Sequence, residues 1–137
     1  MVCLDGSKNS LRGLDVSIPF AKQSNATLVG IHSITKFSPF IAVHTPKIKE
    51  SHWSNKVRGI MGFAKKKVDK SGISFEPVVI AGAAAGYDLT TFANNPKNKI
   101  DHIVIGSRGI GFPKEIFFGS TSTFISHKAK APVTIVK

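Results

Sequence analysis

The chain has 137 residues, 42% of them hydrophobic, a single cysteine and a net charge of +11. That length suits one domain with one core, so residues 1–137 are expected to fold as a single domain. No run approaches the ~18 consecutive apolar residues of a membrane span, the opening MVCLDGSKNS has no signal-peptide core, and the lone Cys3 rules out an internal disulfide. The expectation is a cytoplasmic protein without a membrane partner.

The run MVCL, residues 1–4, is short and apolar. Leu11, Leu14, Ile18 and Ala21 then recur at helical spacing between Ser10 and Ser24. Ser7 stands where its hydroxyl can accept from an orphan N–H at the start of that helix. Pro19, inside it, removes one hydrogen bond and predicts a kink. TLVGIHSI, 27–34, reads as a strand, followed by a loop carrying Pro39 and Pro46. From about Lys49 to Lys70, residues Trp53, Val57, Ile60, Met61, Ala64 and Val68 form one apolar stripe. Gly59 and Gly62 weaken that helix by about 1 kcal/mol each relative to alanine. ISFEPVVIA, 73–81, is the next strand, and Ala83 to Ala93 the next helix, ended by Asn94-Asn95-Pro96. HIVIG, 102–106, a helix from Ser120 to about Ala129, and the strand VTIVK, 133–137, complete the chain.

The order is βαβαβαβαβ. Strands alternating with helices imply a mostly parallel sheet with helices on both faces. In such sheets ligands bind outside the C-terminal strand ends, where the strand order reverses. Asp5-Gly6-Ser7 follows the first strand, where Asp5 is either an acceptor for a ligand's amino or hydroxyl group or simply part of a turn. The second candidate is IVIGSRGIGFPKEIFFGSTSTF, 103–124. Gly106, Gly109 and Gly111 let backbone N–H groups approach an anion. Gly119, Ser120 and Thr121 then open a helix whose free N–H groups and dipole favour phosphate. Turn and cap roles alone would also suit these residues. Arg108 either reaches a phosphate as a charged donor or points to solvent, and Lys114 is read as solvated.

The pattern Gly106-x2-Gly109-x9-Gly119-Ser120 resembles the nucleotide-binding signature of the universal stress protein family, and LDGSKNS and APVTIVK extend the resemblance over the whole chain. The resemblance implies a Rossmann-like fold of the adenine nucleotide alpha hydrolase type, a five-stranded parallel sheet in the order 3-2-1-4-5 with four helices. It implies ATP or AMP as ligand, with a divalent cation such as Mg2+ or Mn2+ at the phosphates. By that similarity Asp5 contacts the adenine, backbone near Ser33 flanks it, and Gly106 lies against the ribose. Gly109, Gly119, Ser120 and the amide of Thr121 hold the phosphates. Family dimers pair their last strands, here Val133 to Val136. In this order the first strand is central, yet its apolar run is short; either the sheet has a stunted centre or the start lies upstream.

Other chemistry is weakly signalled. His32, His44, His52, His102 and His127 show no metal-ligand spacing, and there is no P-loop or dinucleotide fingerprint. No nucleophile–base–orienter set can be assembled, and Ser120 suits capping and phosphate binding better than attack. The expected function is therefore an adenine-nucleotide-binding stress-response protein, a homodimeric regulator in which nucleotide orders the 107–118 loop. A slow ATPase is the enzyme alternative. The third alternative rests on charge: eight of the 19 basic residues lie between Lys47 and Lys70, against Glu50 and Asp69. That segment is either a solvated face or a module for an acidic partner or nucleic acid. No zinc-finger spacing or aromatic–basic strand accompanies it, which disfavours nucleic acid.

Overall fold

The computed structural model describes residues 1–35, 46–110 and 118–137. The strands are β1 (Val2–Cys3), β2 (Leu28–Thr35), β3 (Phe75–Gly82), β4 (Ile103–Gly106) and β5 (Val133–Val136). The helices are α1 (Lys8–Gln23), α2 (Asn55–Asp69), α3 (Ala85–Asn94) and α4 (Ser120–Lys128). The sheet is parallel throughout, in the order β3-β2-β1-β4-β5. This is the expected five-stranded α/β architecture.

Side chains alternate across the strands because successive Cβ atoms point to opposite faces. Cys3, Val29, Ile31, Ile103 and Ile105 pack on one face with Leu89, Phe92 and Ile125 from α3 and α4. Val2, Leu4, Leu28 and Val104 pack on the other with Leu14 of α1 and Val57, Met61, Ala64 and Val68 of α2. Each Val, Leu, Ile, Phe or Met side chain of this double core is worth roughly 1.5–3 kcal/mol when fully removed from water. The short β1 is central, with Val2 in register with Gly30 of β2 and with Val104 of β4. Just beyond it, the Leu4 amide still donates to the Ile31 carbonyl at 2.8 Å.

Helix starts follow local chemistry. Ser7 caps α1 by accepting from the Ser10 amide, and Ser54 caps α2 by accepting from Val57. The second cap places α2 later than the sequence pattern suggested. Trp53 lies just ahead of the helix, buried, after a short 3-10 turn at Glu50–His52, with its Nε1 donating to the Ile48 carbonyl at 2.9 Å. Helix α1 continues through Pro19 to Gln23, with the proline on its exposed side. Pro39, His44, Gly111 and Lys114 lie outside the described residues.

Candidate functional site at the switch point

Strand β1 leads through α1 to its neighbour β2, whereas its other neighbour is β4. The two connections diverge, leaving a crevice beyond the C-terminal ends of β1 and β4. A cavity of about 210 Å3 lies there. Seven of the eight residues named from sequence line it: Asp5, Ser33, Gly106, Arg108, Gly109, Gly119 and Thr121. Ser120, the first residue of α4, is exposed and does not line it.

Asp5 lies just beyond the first strand and ties two loops together. Its Oδ1 accepts from the Ser7 amide at 2.8 Å and its Oδ2 from the Ile110 amide at 2.9 Å. Burial works to raise the Asp5 pKa, but hydrogen bonds from Ser7, Ile110 and Ser10 outweigh it and hold the carboxyl below its ordinary value. Each oxygen keeps lone-pair capacity for a further donor. Beside it, Cys3 is buried in the cavity wall, and burial pushes its thiol up to about 12. It is a packed apolar residue rather than a nucleophile.

The glycines differ in why they are glycines. A Cβ at Gly106 would lie 2.8 Å from the backbone carbon of Asn9, so this glycine lets β4 meet the first turn of α1. A Cβ at Gly109 would lie 2.6 Å from Asp5 Oδ2, so this one makes room for the carboxylate. At Gly119 a Cβ would meet nothing closer than the Ser107 carbonyl at 3.5 Å. Its backbone, φ −77° and ψ 158°, suits any residue. Nothing in the described protein demands glycine at 119, and the position faces the cavity.

Several residues that build the site carry no motif. The Ser107 carbonyl accepts from the Gly119 amide at 2.7 Å and from the buried Ser122 hydroxyl at 2.9 Å. The same hydroxyl lies 2.9 Å from the Gly119 carbonyl. Asn9 Nδ2 donates to Ser107 Oγ at 3.0 Å, joining this knot to α1. Ser122, three residues after Gly119, stands at the spacing from which serine reaches back to a carbonyl, the one local signal that could have found it. Arg108 is half-buried in the cavity wall, and its carbonyl accepts from Ser7 Oγ at 3.4 Å.

The helix ends give the crevice its polarity. Helices α1 and α2 have serine caps, but α3 and α4, which flank the cavity, begin at Ala84 and Gly119 without a capping side chain. Their first-turn N–H groups therefore keep donor capacity for an anion. Among the described residues, no group of three or more His, Cys, Asp or Glu is placed to hold a metal ion.

Sheet order and crevice together define a doubly wound α/β domain with a site at its switch point. The chain belongs to the universal stress protein family, whose pattern it matches over residues 1–137. It is 32% identical over 147 residues to Universal stress protein YxiE of Bacillus subtilis, covering 100% of this chain and 97% of that protein. Its structure resembles that of a universal stress protein in complex with cAMP, at 23% identity and a TM-score of 0.71, over 99% of this chain and 93% of the other. It also resembles a universal stress protein family protein of Arabidopsis thaliana with AMP bound, at 20% identity and a TM-score of 0.67, over 100% and 89% of the two chains. At these identities the structures speak for the fold.

Proposed function

We propose that this protein binds an adenine nucleotide, ATP or AMP, in the switch-point cavity, and acts as a nucleotide-dependent homodimeric regulator in a stress response. The observation that carries the reading is the convergence of seven sequence-named residues on one cavity between β1 and β4. Asp5 and Ser33 supply acceptors at one end for a base. At the other, the uncapped start of α4 supplies backbone donors for phosphates through the Ser120 and Thr121 amides, with Gly119 keeping that helix start open to them; its own amide is taken by the Ser107 carbonyl, and Gly109 lies against the Asp5 carboxylate. A cavity of about 210 Å3 is smaller than the roughly 300–1,000 Å3 of sites that enclose a drug-sized ligand. It would take the base and sugar and leave the phosphates at its mouth. An accompanying Mg2+ or Mn2+ would be held by phosphate oxygens and water rather than by a protein cage. The related proteins with bound cAMP and AMP support the ligand class.

Dimerisation through β5 is supported by its edge position: it pairs with β4 on one side, and Val133–Val136 are all partly exposed. Binding is favoured over slow ATP hydrolysis because the acid in the crevice, Asp5, already accepts from two amides at the proposed base end. Acid release and mass spectrometry of small molecules carried by freshly purified protein, with calorimetric titration of AMP and ATP, test the reading. A protein that carries no adenine nucleotide and binds neither at millimolar concentration refutes it.

One observation favours a second reading, a basic surface for an acidic partner or nucleic acid. On α2, Lys65 pairs with Asp69 and Lys67 with Asp15 of α1, but Lys56, Lys66 and Lys70 make no ion pair among the described residues. Reversing these three to glutamate removes salt-dependent retention on heparin if the surface is used; unchanged retention eliminates it.

A further inference from the structure

One buried acid has no part in the reading above. Asp88 sits in the first turn of α3, 1% exposed, in the wall behind the cavity. A carboxylate so placed is costly unless hydrogen bonds or a paired charge compensate it. Space for it exists because residue 82 is glycine: a Cβ there would lie 2.0 Å from Asp88 Oδ1. Its Oδ2 accepts the hydroxyl proton of Ser33 at 3.0 Å. Ser33 is on β2, on the same side as Ile31, and both line the cavity together with Ala85 and Leu89 of α3.

A serine hydroxyl has one proton and two lone pairs. With the proton committed to Asp88, Ser33 can only accept from the cavity side. Asp5 across the crevice is likewise an acceptor, since an ionised carboxylate has no proton to give. We propose that Asp88 is a positioning residue that holds Ser33 as a fixed acceptor, and that the Gly82–Asp88–Ser33 set selects a base bearing an exocyclic amino group over one bearing an oxo group at the same place. An amino group donates into both acceptors. An oxo group would face them with lone pairs against lone pairs, and sites built on hydrogen bonding reject such mismatches strongly. This inference rests on the nucleotide reading of the same cavity.

AMP and inosine monophosphate differ at purine position 6, amino against oxo, and form the matched probes. Wild-type protein is expected to bind AMP at least tenfold more tightly than inosine monophosphate in calorimetric titration. Asp88→Asn keeps the volume but offers an amide N–H to Ser33, freeing its proton to turn into the cavity, and the ratio should fall toward one. Ser33→Ala removes the acceptor and should lower the ratio mainly by weakening AMP, giving a second measurement should Asp88→Asn fold poorly. A merely structural role for Asp88 would weaken both ligands and leave their ratio intact. Equal binding of the two nucleotides by wild-type protein, or an unchanged ratio in the folded variants, overturns the inference while leaving nucleotide binding standing. Failure of wild-type protein to bind AMP, ATP and inosine monophosphate overturns both.

Discussion

Alanine at Gly119 separates a glycine kept for a ligand from one kept for packing. The new methyl would sit 3.5 Å from the Ser107 carbonyl and 3.7 Å from the Arg108 Cα, ordinary contacts. The backbone there is extended and open to alanine. Two small effects oppose each other. Alanine is a poorer N-cap than glycine, by about 0.5–1.5 kcal/mol, but it stiffens the unfolded chain, worth roughly 0.4–1 kcal/mol in the other direction. Stability should therefore stay within about 1 kcal/mol of wild type. Affinity should not: a methyl where phosphate meets the start of α4 should weaken AMP and ATP by tenfold or more, about 1.4 kcal/mol. Gly106→Ala is the counterpart. Its methyl would press at 2.8–2.9 Å on Asn9 and on the Ser10 amide, and such overpacking costs about 1–3 kcal/mol. Urea unfolding and calorimetric titration of both variants read the two quantities apart. Wild-type affinity in Gly119→Ala would show that no phosphate sits there, and wild-type stability in Gly106→Ala would sink the packing account.

Three further outcomes are expected. The folded Asp5 carboxyl titrates below its unfolded value of about 3.9. Its stabilisation is thus present above that pH and lost as pH falls through the folded value, so the gap between wild type and Asp5→Asn in urea melts should be widest above about pH 5 and narrow below pH 4. A gap that widens on acidification contradicts the sign. With its thiol pushed up to about 12 by burial, Cys3 should react with iodoacetamide at pH 8 on the order of a thousandfold more slowly in native protein than in urea; comparable rates would place it outside the core. Ser122→Ala should lose about 1 kcal/mol, because the hydroxyl reaches both the Ser107 and Gly119 carbonyls, and a neutral result in thermal melts would mean water replaces it at no cost.

The legible part of the molecule was periodic or sequence-local. Alternation along β2, β3 and β4 and the apolar stripes of α1 and α2 are repeating patterns, and Ser7 as a cap needs only its neighbours. Asp5 and the glycines could be placed at strand ends because the element order fixes where a sheet of this class opens. The missed features depend on contacts between distant segments. Ser33 and Asp88 are 55 positions apart, and Asn9 and Ser107 are 98 apart. No local pattern reports that a serine's proton is taken by a helix three elements later. Trp53 fitted the helical stripe by spacing, but its indole N–H found the Ile48 carbonyl and Ser54 began the helix behind it. Gly106, which the resemblance sets against a ribose, also lets β4 meet the first turn of α1, a close approach no local pattern reports.

The hydrogen bond between the Ser107 carbonyl and the Gly119 amide has an engineering consequence. It fastens the two feet of the intervening segment together at 2.7 Å, with Ser122 bracing the joint. Chain inserted between those feet lengthens a loop already closed, and closure entropy grows only logarithmically, about 0.6 kcal/mol for each doubling. The sheet and the cavity floor need not register the added length. A peptide tag or a reporter inserted between residues 107 and 119 should therefore leave the fold standing at little cost in stability.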